Sequence, residues 1–131
     1  MTDSDASGLT LLGSSARGPV DHVESFPAPP TVTKVRFCTD EVTSLCPVTG
    51  QPDISTVVIE YEPDQLCIES KSLKLYLWSF RDRAVFAEAL AAEIAAEVRR
   101  SARPHAVRVV LTQHARGGIV IEATAELPGM A

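Results

Sequence analysis

A thiol and a carboxylate share one short stretch, Ser44-Leu45-Cys46-Pro47-Val48-Thr49-Gly50-Gln51-Pro52-Asp53. Prolines at 47 and 52 and a glycine at 50 give it the composition of a turn. Such a segment holds side chains at fixed surface angles rather than packing them in a core. An apolar run over 54–61 follows at once and anchors the loop to a strand, with Asp53 at the junction. Cys46 is therefore a candidate nucleophile and Asp53 its proton-transfer partner. Taken singly, a free cysteine is more often a small buried hydrophobe, so the pair gains its meaning from the rest of the chain.

The elements that must position this pair can be read from the pattern of the 131 residues, a length suited to one domain. Residues 1–30, polar and proline-rich, read as an irregular arm, with 31–131 as the catalytic domain. Strands are expected over 31–38 and 54–62, with a short extended piece at 66–68. Over residues 70–80 period alone leaves helix or strand open, and a first helix is favoured. Residues 85–102 form a clearer one, with Val85, Phe86, Leu90, Ile94 and Val98 as its apolar stripe. Residues 105–113 and 119–125 read as two further strands around an Ala115-Arg116-Gly117-Gly118 turn, with a fraying tail at 127–131. The order is strand, strand, helix, helix, strand, strand, an α+β class.

Composition excludes several functions. A net charge of −5 argues against a general nucleic-acid surface, though a local basic cluster at Lys71, Lys74 and Arg116 could still hold a small anion. No apolar run is long enough to span a membrane, and the acidic start lacks the pattern of a secretory signal. Cys38, Cys46 and Cys67 show neither metal-ligand spacing nor a disulfide framework, so no metal is expected and a cytoplasmic location fits best.

Three segments together resemble one family. They are the Cys46 stretch, Glu69-Ser70-Lys71-Ser72-Leu73-Lys74-Leu75-Tyr76, and Arg116-Gly117-Gly118-Ile119. The chain is similar to the NADPH-dependent 7-cyano-7-deazaguanine reductases of queuosine biosynthesis (a tRNA modification), in their short, single-module form. The resemblance implies a tunnelling fold, with a four-stranded antiparallel sheet and two helices between strands 2 and 3. Subunits would close into a barrel, two pentamers stacking into a decamer with active sites between subunits. It also implies that Cys46 adds to the nitrile carbon to form a thioimide while Asp53 protonates the nitrogen. Two NADPH would then take the thioimide to 7-aminomethyl-7-deazaguanine.

By the same resemblance, Glu69, Ser70, Lys71, Ser72 and Lys74 are cofactor-binding residues. Hydroxyls and a helix start could donate to a phosphate, and the lysines add charge. Alone, the segment reads better as an ordinary capped helix with solvated lysines; joined to the Cys46 loop, the cofactor reading is preferred. Arg116 is either another phosphate contact or a surface residue on a glycine hairpin. Phe86 and Glu88 are the substrate-binding candidates, Glu88 accepting from a guanine-like edge. The family commonly has Phe-His-Glu where this chain has Phe86-Ala87-Glu88, so a group able to assist later proton transfers is missing. His105 and His114 are replacements only by elimination. Two further readings stand beside the reductase: a nitrogen transferase that uses the same thioimide, and a deazapurine-binding paralogue without turnover.

Overall fold

A computed structural model describes residues 9–12 and 18–130. Much of the arm (residues 1–8 and 13–17) and residue 131 lie outside the described residues. Six strands and two helices follow in the order β1 (Ser25–Pro27), β2 (Val35–Leu45), β3 (Pro52–Glu62), β4 (Leu66–Ile68), α1 (Ser70–Trp78), α2 (Ala87–Ala102), β5 (Ala106–Arg116) and β6 (Ile119–Pro128). Four strands form one antiparallel sheet in the order β2-β3-β5-β6, and β1 pairs separately with β4. The α+β class and both helices between the second and third long strands are as expected from the sequence.

The core lies between one face of the large sheet and α2. Alternation along β3 turns Val57, Ile59 and Tyr61 inward, and along β5 Val107, Val109 and Leu111. From α2 come Leu90, Ala91, Ile94, Ala95, Val98 and Ala102, all essentially without solvent exposure. The alanines in this stripe leave room for close approach of the helix to the sheet.

Several boundaries differ from the sequence reading, each for a local reason. β2 starts at Val35, because Pro29 and Pro30 enter a turn in which the Val32 amide donates to the Pro29 carbonyl at 3.2 Å. It then runs on to Leu45, since the charged pair Asp40-Glu41 sits in a bulge between Thr39 and Val42. A bulge lets a strand carry extra residues without ending. Helix α2 starts two residues late, with Phe86 extended at φ −73° and ψ 153° as its N-cap. Phe86 is 57% exposed and leaves the apolar stripe. The final strand reaches Pro128 in register with β5, so Leu127 does not fray. Within the stretch read as an irregular arm, Val23 is buried and Ser25–Pro27 is a strand.

Candidate active site

The β2–β3 hairpin loop, residues 46–51, is closed by two backbone bonds. The Cys46 amide donates to the Gln51 carbonyl and the Gly50 amide to the Cys46 carbonyl, both at 2.9 Å. Gly50 has φ +71°, which glycine adopts without steric cost. This tight fold turns the Val48 and Thr49 amides and the Thr49 hydroxyl toward the Cys46 sulfur. A concave set of N–H donors favours an anion. Chiefly through Thr49, and with help from Arg116, the thiol is lowered from 9.0 to about 7. Cys46 is half-buried, so its sulfur can be reached.

Arg116 enters from the other hairpin. Gly117 and Gly118, at φ +59° and +78°, make the two-residue turn that pairs Arg116 with Ile119. The Arg116 guanidinium donates to Asp53 Oδ1 at 2.6 Å, to Gln51 Oε1 at 2.7 Å and to Thr49 Oγ1 at 3.0 Å. Its own acidity is weakened, first by the Asp53 bond and then by Cys46. Asp53 is buried at 3%, because it continues the inward row of β3 below Ser55 and Val57. Ser44, its register partner on β2, is buried too. The inward face thus turns from apolar to polar at the end of the sheet that carries the thiol.

A strap fixes α2 to this end. The Leu45 amide donates to the Arg83 carbonyl at 2.9 Å, and the Val85 amide to the Leu45 carbonyl at 3.1 Å. These bonds hold residues 83–85 extended beside Leu45, one residue from Cys46, and explain the late start of α2. Phe86 and Glu88 are both exposed at the head of the helix. Ala87 between them is 2% exposed and belongs to the core.

The structure therefore brings Cys46, Asp53 and Arg116 together, with Phe86 and Glu88 on the adjoining helix head. It does not bring Glu69–Lys74 to them. Those residues form the head of α1, while the tail of α1 leads through 79–82 to the strap. A nine-residue helix is about 13 Å long. Glu69 is the N-cap of α1, its carboxylate accepting from the Lys71 amide at 2.6 Å and the Ser72 amide at 2.8 Å. Those amides, expected to face a phosphate, are taken by Glu69. Ser72 is buried, donating to the Glu69 carbonyl and accepting from the Glu24 amide. Lys71 Nζ donates to the Leu11 carbonyl at 2.9 Å. Ser70 and Lys74 line a cavity of about 600 Å³ between α1 and β2, with Trp78 and Arg81 further along.

His105 lies at the opposite end of the sheet, 3.7 Å from Asp64. His114 is at the right end but bonds Thr56 on the outer face, at 3.2 Å. Among the described residues, no three His, Cys, Asp or Glu side chains gather as a metal site, and no helix is long and apolar enough to cross a membrane. Sequence reasoning assigned no role to Thr49 or Gln51. Their signal was their place between Cys46 and Asp53 in a loop that needs a donor set.

Comparison with known proteins shows the family. A family model described as QueF-like protein matches residues 52–129, beginning at the strand that carries Asp53. The NADPH-dependent 7-cyano-7-deazaguanine reductase of Alkalilimnicola ehrlichii is 43% identical over 112 residues, covering 82% of this chain and 85% of that protein. The protein of the same name from Rhizobium rhizogenes is 41% identical over 128 residues, covering 93% of this chain and 83% of its own length. Among solved structures, an archaeosine synthase QueF-Like in the apo form superposes with a TM-score of 0.70 at 27% identity. It covers 79% of this chain and 99% of its own. The match from β3 through both helices to the Arg116 hairpin and β6 places this chain in the QueF-like protein family.

Proposed function

We propose that the protein is an NADPH-dependent reductase of the nitrile of 7-cyano-7-deazaguanine, giving 7-aminomethyl-7-deazaguanine. The observation that carries this is the joining of a lowered thiol, Cys46, and a carboxyl group, Asp53, by Arg116, in a chain whose reductase relatives are above 40% identical. Cys46 adds to the nitrile carbon. One carbon–nitrogen π bond opens toward nitrogen, which takes a proton from Asp53, leaving a thioimide on the enzyme and a carboxylate at Asp53. Glu88 accepts from the N–H and amino edge of the base, and the exposed ring of Phe86 lies against its face. NADPH, when bound, supplies the hydrides that a thioimide accepts more readily than a nitrile.

The residues at the head of α1 fit that cofactor in part. Lys71 and Lys74 offer positive charge and Ser70 a hydroxyl, while Glu69 already satisfies the helix amides. Their separation from Cys46 within one chain supports a site shared between subunits. The sheet has β2 and β6 as its edges, and Val48, Ile54, Phe86, Ile119 and Val120 are all about half exposed or more. Unpaired edges and apolar surface of this kind are covered by association. A tunnelling-fold barrel, most simply a decamer of two stacked pentamers, would cover them. Sedimentation that gave a concentration-independent monomer would remove the shared site.

The nitrogen-transferase reading is favoured by the archaeosine synthase likeness, but it stands at lower identity than the reductases, and this chain retains the motif Glu69-Ser70-Lys71-Ser72-Leu73-Lys74. Incubation with the nitrile and NADPH separates the readings. Cofactor oxidation together with product mass is expected; an adduct without oxidation would favour the transferase, and no adduct at all the binder, which Ala87 alone supports.

A further inference from the structure

We propose that the cavity between α1 and β2 takes the adenosine end of the cofactor, with Trp78 as the platform for its base and Lys74 and Arg81 as partners of its 2′-phosphate. This rests on the NADPH reading above and extends it to Trp78 and Arg81, two residues beyond the segment Glu69–Lys74. Ser70, Lys74 and Trp78 follow at four-residue intervals and so stand in one row along α1. The helix then tightens. The Ser79, Phe80 and Arg81 amides donate to the carbonyls three residues back, at 2.9, 3.4 and 3.1 Å. Such a turn stacks i over i+3, so Arg81 continues the row beside Trp78. All four residues line the cavity of about 600 Å³, together with the apolar side chains of Phe37, Val57 and Leu73.

The chemistry of the row selects the ligand. Trp78 is 43% exposed, while Leu77 and Phe80 on either side belong to the core. An indole left half in water beside an apolar cavity is a platform for a flat ring. Arg36, Arg83, Arg100, Arg108 and Arg116 are each matched with a carboxylate. Among the described residues, Lys74 and Arg81 have no such pair. Two unmatched cations flanking an aromatic side chain suit a phosphate next to a base. Lys71 is turned elsewhere, its Nζ donating to the Leu11 carbonyl.

The opposite wall fixes the orientation. Among the described residues that line the cavity, Glu41 on the β2 bulge is the only acid. A carboxylate repels a phosphate and accepts from ribose hydroxyls or an amino group, which sets the phosphate against α1. Cys46, Asp53, Phe86 and Glu88 are not in the lining. The end of a dinucleotide that gives up hydride has to reach the captured nitrile, so the end held in this cavity is the other one.

Trp78 is the single tryptophan of the chain, so its emission reports on this cavity alone. Adenosine 2′,5′-bisphosphate, 5′-AMP and nicotinamide mononucleotide are titrated separately into the full-length protein. The bisphosphate should quench the emission to saturation, 5′-AMP should bind about tenfold or more weakly, and the mononucleotide should leave the emission unchanged. Cys38 is exposed on the same cavity. The bisphosphate should therefore slow its alkylation by iodoacetamide, with peptide mass spectrometry separating Cys38 from Cys46 and Cys67. Arg81→Ala should weaken the bisphosphate by about tenfold and 5′-AMP by little. Trp78→Leu, followed through Cys38 protection, should weaken both adenosine ligands by about tenfold. Trp78→Phe keeps a ring and should restore most of that loss; it also serves if the leucine variant does not fold. An emission and a Cys38 labelling rate that the bisphosphate leaves unchanged would overturn the proposal. So would an emission that shifts with protein concentration and not with nucleotide, which would give the cavity to a second copy of the chain. Nitrile reduction with an unresponsive cavity would sink this proposal and spare the reductase reading; a responsive cavity without reduction would do the reverse.

Discussion

The Cys46 hairpin and the head of α1 are equally conspicuous in the sequence, and both gather polar side chains around a turn. They use those groups in opposite ways. At the hairpin, backbone amides and the Thr49 hydroxyl point at a half-buried sulfur that can still be reached. At the head of α1, the amides point at Glu69, a carboxylate supplied by the chain and 4% exposed. A turn whose donors surround a reactive atom is ready for chemistry. A turn whose donors are already satisfied holds a helix in place. Whether a polar motif acts or supports is decided by what ends up opposite its donors.

The sharpest way to break this contrast is Cys46→Ala. It should abolish the mass adduct with the nitrile and all NADPH oxidation, with little change in thermal stability. An adduct that persists in intact-protein mass spectrometry would move the nucleophile elsewhere. Asp53→Asn comes next. It should slow nitrile capture by about 10²–10⁴-fold, the usual worth of a positioned acid, as read by single-turnover kinetics. A rate within a few-fold of the unmodified protein would make Asp53 a structural partner of Arg116 alone.

Ala87→His tests the boundary between core and site. The sequence argument expects the imidazole to speed reduction. The buried setting of Ala87 instead expects overpacking, a loss of about 1–3 kcal/mol in denaturant titration. Faster turnover at unchanged stability would show that the side chain can reach the thiol.

At the head of α1 the effects are smaller. Glu69→Ala should cost about 1–2 kcal/mol through the lost cap. A raised KM for NADPH without a stability change would return Glu69 to the cofactor. Lys74→Ala, on the exposed face, should leave stability within about 0.5 kcal/mol. It should raise the KM for NADPH several-fold at similar kcat, the mark of a contact made equally in ground and transition states. Equal use of NADH and NADPH by the unmodified protein would count against both lysines as phosphate partners.

What the sequence determined by itself is local. Proline and glycine spacing set the Cys46 turn, paired glycines set the Arg116 hairpin, and alternation chose the inward rows of β3 and β5. Period also marked α2 as a helix, because it rests on neighbours a few residues apart, whereas for α1 period alone left helix or strand open and the fold decided. The sequence could not show that Asp40-Glu41 is a bulge rather than a loop, since that depends on which residues of β3 lie opposite. Nor could it show that the strap to Leu45 delays α2 and frees Phe86 from the core. Arg116 is the clearest case. It lies 63 residues from Asp53 along the chain, and no local pattern links them. The two meet because β5 pairs with β3, which carries the second hairpin to the end of the sheet where the first one turns. A carboxylate, a thiol and a cation became one site through strand register, and register is a property of the folded sheet.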